Sequence, residues 1–163
     1  SGIDTKPLVG HLAAWNYFES AESSINTDFI KKWKDLTKNP KRVTNDPMEA
    51  HFIGFNMWVK AVEKAGTTNV DAVRDAMIGV TVPNLSGGYS TMFANHHITK
   101  PVLIGEIQDD GQFQIVWQTK GNVVGDAWTD FLPESANIVA DWTKPLACGN
   151  YNVKTAKCSG QNY

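Results

Sequence analysis

The stretch NDPMEAHF, Asn45 to Phe52, places two carboxylates, Asp46 and Glu49, beside His51. Such groups can transfer protons, ligate a metal or accept N–H donors. Their setting favours the third. Asp46 is a good helix N-cap, Pro47 suits the first helical position and Glu49 then falls at the third, a capping box with Asp in place of Ser or Thr. Both carboxylates sit at the positive end of a helix dipole, which lowers their pKa values and keeps them ionised. A general acid needs the opposite shift. The pair therefore reads as capping. A second role, gripping an amide or ammonium group, stays open if this helix start faces a cleft.

Other chemistry-bearing residues are sparse. His96 and His97 are adjacent, and neighbours on a strand point to opposite faces, so they read as a polar loop rather than a metal pair. His11 lies in an apolar run and reads as a hydrogen-bonded core residue. There is no GxSxG elbow, P-loop, HExxH or Rossmann glycine fingerprint, so no cofactor is implied. Cys148 and Cys158 bracket CGNYNVKTAKC, rich in turn formers. A bridge would close a small loop, contribute roughly 2–3 kcal/mol and indicate an oxidising compartment; the alternative is two free thiols in a surface tail. Trp15 and Tyr17 end the first apolar run. Aromatics there either line a ligand crevice or pack sheet against helix.

The bulk numbers narrow the classes. Fifteen Lys and Arg against seventeen Asp and Glu give a net charge of -2, so no basic excess points to nucleic acid. Lys31, Lys32 and Lys34 read as a solvated helix face. No apolar run is long enough for a membrane span. The chain starts at Ser1 without a signal-peptide pattern, which suggests a processed protein or a piece of a longer one.

The elements that must position these residues follow from periodicity. Pro7–Phe18 lacks alternation and reads as a strand buried on both faces, as in a parallel sheet. Asn26 is expected to cap a helix running to about Asn39, with Phe29, Ile30, Trp33 and Leu36 as its apolar stripe. A largely buried helix starts at Asp46 and ends at Gly66, with Met48, Phe52, Phe55, Val59 and Val62 on one stripe and Trp58, Ala61 and Ala65 widening it. A shorter helix spans Val70–Ile78. Tyr89–Phe93, Pro101–Gln108 and Gln112–Gln118 read as strands, the last two joined through Asp109-Asp110-Gly111 by a type I′ or bulged turn. Glu134–Trp142 suggests a short helix. The first strand has no obvious parallel partner, an odd start for a self-contained α/β domain.

GHLAAWNYF, DPMEA and NHH..KP..IGEI..DGQF, in this order and spacing, closely resemble the C-terminal part of periplasmic urea-binding proteins, the receptors of urea ABC transporters and relatives of short-chain amide and branched-chain amino-acid receptors. The resemblance covers about Pro7 to Trp117. It implies an α/β chain, part of a type I periplasmic-binding fold: two lobes joined by crossing segments, here with an antiparallel hairpin near the C-terminal half. Residues 1–18 would end the second lobe and form a crossing segment, 19–118 the second portion of the N-terminal lobe, and 119–163 a return crossing and tail. It also implies a periplasmic location, a small solute such as urea or a short-chain amide, an ABC permease as partner, and an N-terminal part preceding Ser1. Trp15, Tyr17, Asp46, Met48 and Glu49 then become cleft-facing candidates. Rival readings are an amide-sensing ectodomain of the same fold and an amide hydrolase, which would need a nucleophile or metal that the motifs do not supply.

Overall fold

The computed structural model describes residues 4–125 and the backbone of Tyr151–Asn152 and Lys157–Cys158. The chain divides into two units, Ser1–Gly125 and Asp126–Tyr163. In the first, a 3-10 turn at Lys6–Leu8 leads into β1 (Leu12–Trp15), then helices α1 (Ser24–Thr37), α2 (Asp46–Ala65) and α3 (Val70–Met77). A small hairpin, β2 (Thr81–Pro83) and β3 (Tyr89–Thr91), and a larger one, β4 (Leu103–Ile107) and β5 (Phe113–Gln118), complete it. In the second unit β6 (Tyr151–Asn152) pairs with β7 (Lys157–Cys158), Tyr151 opposite Cys158. The expected helix at 134–142 and the Cys148–Cys158 bridge lie outside the described residues.

The first strand is not a buried parallel strand. β1 pairs antiparallel with β4, Leu12 opposite Glu106 and Trp15 opposite Leu103, in a sheet of order β1-β4-β5. Leu12 and Trp15 are more than half exposed. The missing parallel partner is therefore an antiparallel one, some ninety positions away in sequence, which local periodicity cannot reveal. His11, read as a core residue, is exposed just before the strand. The DDG turn is the bulged variant: Gly111 has φ 79°, and its N–H donates to Gln108 O at 3.0 Å. Gly105 is also dictated by packing. A Cβ there would lie 2.8 Å from the Phe18 ring, which stacks on Phe113 at 4.6 Å between centroids.

Both long helices start one or more residues from the expected caps. α1 is capped by Ser23, whose Oγ accepts the Asn26 N–H at 3.1 Å. Asn26 is instead a buried hub. α2 is capped by Asn45, which accepts the Met48 N–H at 3.1 Å, so Asp46 is the first helical residue rather than the cap. Asn and Asp cap about equally well, and Pro47 is tolerated at either of the first two positions, so the residues alone left a one-position ambiguity. α2 ends where expected: Gly66, at φ 65°, donates its N–H to Val62 O at 2.9 Å.

The core forms where α2 meets α3 and the β2–β3 hairpin. Ile53, Met57 and Ala61 of α2 pack with Val73, Val80, Val82 and Met92. This overlaps the expected stripe only at its C-terminal end, where Ala61 is buried and Val62 and Ala65 pack against the cluster; Ile53 and Met57 were not on it. The buried face of α2 runs Glu49, Ile53, Met57, Ala61, while Phe55 is 65% and Trp58 42% exposed. On α1, Leu36 is likewise exposed. α2 is apolar almost all round, so periodicity gave little preference for one face, and the face chosen carries a carboxylate.

Candidate functional site

The turn between β1 and α1, the segment before α2 and the β4–β5 turn converge on a pocket of about 290 Å³. Trp15, Tyr17 and Phe113 give it aromatic walls, and Thr44, Asp46 and Gln112 supply polar groups. No lysine or arginine lines it.

Trp15 ends β1 half-exposed, its indole free to meet a solute face. Tyr17 is 2% exposed, so it lines the pocket from within the core, and its hydroxyl is committed inside the protein. That hydroxyl donates to Asn26 Oδ1 at 2.8 Å and lies 2.6 Å from Thr44 Oγ1. Its single hydrogen goes to Asn26, so Thr44 is the donor in the second bond. The Asn26 amide donates in turn to the carbonyls of Glu19 and Ala21. Burial pushes the Tyr17 pKa up to about 12, with the nearby charges of Glu19 and Glu49 adding to it against the Thr44 and Asn26 hydrogen bonds. Tyr17 thus stays neutral across ordinary pH and forms a wall, not an acid or base.

Glu49 does not line the pocket and is fully buried. Its Oε1 accepts the Leu85 N–H at 3.2 Å and its Oε2 the Lys100 ammonium. Burial raises its pKa, outweighing the hydrogen bond and attraction from Lys100. The expected lowering by the helix dipole does not hold for Glu49, because desolvation of a fully buried carboxylate exceeds a terminal dipole contribution. Lys100 Nζ also lies 3.6 Å from Asp46 Oδ1, an oxygen that is buried and has no hydrogen-bond partner. Glu19, a second carboxylate lining the pocket, is engaged with Lys34 at 3.3 Å and the Thr44 N–H at 2.9 Å.

Of the five residues singled out from the sequence, Trp15, Tyr17 and Asp46 meet in this pocket. Met48 lies in a separate apolar groove with Phe29, Trp33 and Phe52, and Glu49 is held by Lys100. Thr44, Gln112, Phe113 and Lys100 were not singled out. Gln112 follows the turn glycine, and Lys100 precedes Pro101 in the motif that carried the family likeness; neither has a spacing that announces a site. His96 and His97 fall, as read, in an exposed loop, His96 at φ 59°. Among the described residues no group of three or more His, Cys, Asp or Glu side chains could hold a metal ion.

Residues 1–134 match the family described as periplasmic binding protein domain. The chain belongs to that family. Solved structures agree on the fold. A solute-binding protein of an ABC transporter from Rhodopseudomonas palustris HaA2, in complex with p-hydroxybenzoic acid, is 21% identical and superposes with TM-score 0.62 over 72% of this chain and 33% of its own. A leucine-binding protein from Thermotoga maritima gives 14%, TM-score 0.58, 69% and 31%. The fold is thus α/β, part of a type I periplasmic binding protein with the antiparallel hairpin in place. A curated relative named limonene hydroxylase, from Geobacillus stearothermophilus, is 27% identical over 141 residues, 86% of this chain and 26% of that protein. The chain spans about a third of the length of those solved proteins and a quarter of that relative. Among the described residues no helix is long and apolar enough to cross a membrane.

Proposed function

We propose that this periplasmic binding protein domain is part of a solute receptor for urea or a short-chain amide, serving an ABC importer from the periplasm. The supporting observation is the pocket's chemistry: aromatic walls, the Asp46 carboxylate, a second carboxylate at Glu19 already engaged with Lys34 and the Thr44 N–H, and no cationic side chain among its lining residues. Urea and small amides are planar, neutral and rich in N–H. A carboxylate takes those donors and aromatic rings cover the plane. A benzoate or an amino-acid carboxylate would find no lysine or arginine in this pocket. Polar groups left unpaired by an analogue lacking an N–H add discrimination. The family likeness of the sequence motifs points to the same solutes. Residues 1–18 serve in this reading as a crossing segment, 19–118 as lobe and 119–163 as return and tail, with the rest of the cleft supplied by sequence N-terminal to this part.

The domain acts by binding rather than catalysis in this reading. The hydroxyls at the pocket, Tyr17 and Thr44, bond to each other rather than to a base. The name of the Geobacillus relative describes that protein alone. Calorimetry of the complete receptor with urea, formamide, acetamide, benzoate and leucine separates the cases. Heat with the amides and none with the carboxylates is expected; binding of benzoate or leucine without any amide would refute the assignment.

A further inference from the structure

Asp46 and Glu49 stand one helical turn apart at the start of α2, and two carboxylates so placed repel each other. Lys100 sits between them. Its side chain is only 10% exposed, its ammonium bonds Glu49, and Asp46 Oδ1 lies 3.6 Å away. Glu49 itself is fixed from the other side by the Leu85 N–H. Asp46 Oδ1 is buried without a hydrogen-bond partner, and among the described residues Lys100 is the one side chain whose charge compensates it. The remaining exposed fifth of the Asp46 side chain belongs to the rest of the group, at a residue that lines the pocket.

We propose that Lys100 is a specificity-determining positioning residue: by holding Asp46 Oδ1 inward it presents the other carboxylate oxygen to the pocket, and by offsetting the Asp46 charge it sets the site for a neutral amide over a cation of the same shape. This rests on the reading of the pocket as an amide site. Lys100 does not line the pocket and acts only through Asp46. An oxygen that shares its charge with an ammonium still accepts an N–H from urea, but it attracts guanidinium less than a lone carboxylate does. Glu49 is the anchor that places Lys100, which gives this buried acid a function outside the pocket.

The test uses the complete receptor, with urea and guanidinium chloride at non-denaturing concentration as probes. Lys100→Met alone strands a buried Glu49 and endangers folding, so Lys100→Met combined with Glu49→Gln is the second variant; its glutamine keeps an acceptor for the Leu85 N–H. That double variant is expected to move the urea-to-guanidinium affinity ratio about tenfold toward guanidinium, as coupling within one ion-pair network allows. In an Asp46→Asn background the same replacement is expected to move the ratio by less than about twofold, since the intermediary is gone. An unchanged ratio, or an equal shift with and without Asp46, overturns the inference while leaving the amide assignment standing. A wild-type receptor that binds none of urea, formamide and acetamide overturns both.

Discussion

At the scale of single residues, NDPMEAHF is a division of labour. Asn45 caps, Asp46 lines the pocket and Glu49 is buried against Lys100 and the Leu85 N–H. The residue types announced a helix start, but not which of two adjacent amide or carboxylate side chains would cap it. Replacing Asn45 by Ala is expected to cost about 1 kcal/mol, read by thermal melting; no change would mean that Asp46 takes over the cap. The buried Glu49 makes a second prediction. Its folded pKa is raised above the free value of 4.5, because burial outweighs the help from Lys100. The folded state therefore binds its proton more tightly than the unfolded chain, and the stability it contributes is fully present below pH 4.5 and is lost as pH rises through the folded value. The unfolding free energy of wild type minus that of Glu49→Gln is expected to fall across that window. A rise would show that Lys100 outweighs desolvation. The partner itself could not be read from sequence, since Lys100 is distant from Glu49 along the chain and only the fold joins them.

At the scale of elements, existence was far more legible than facing. Three helices, the DDG hairpin and the break at Gly66 all follow from capping residues, Pro and Gly. The short strand β2 has no signal in the sequence, since Pro83 is a loop former; in a three-residue edge strand a proline is tolerated. For α2 the apolar residues were too evenly spread to choose a side, and the choice fell to Ile53, Met57 and Ala61. Met57 is fully buried at the centre of this cluster. Met57→Ala is expected to destabilise by about 2–5 kcal/mol, whereas Phe55→Ala, on the exposed face, is expected to change stability by less than about 1 kcal/mol. Thermal or chemical melts of the two variants decide between the buried face and the stripe read from periodicity. Equal losses would restore the latter.

At the scale of the whole molecule, the family motifs were legible because they are blocks rather than single residues, and the type I fold followed from them. The long-range closure was not. β1 and β4 hydrogen-bond across the entire helical region, and this pairing places Trp15 near the β4–β5 turn that delivers Gln112 and Phe113 to the pocket. Three loops from distant parts of the sequence therefore build one wall, and a mutation in any of them is felt at the same site. The chain spans a third of comparable solved proteins, so in our reading solute capture belongs to the complete two-lobed receptor, whose closure would remove Trp15 from water. The central claim is that Asp46 accepts the solute's N–H groups between aromatic walls. Its most direct test is urea titration of the complete receptor and its Asp46→Asn variant, with melting followed in parallel. The account predicts at least about tenfold weaker urea binding at unchanged melting temperature, the loss typical of a charge-assisted hydrogen bond. Equal affinity in the two proteins would contradict it.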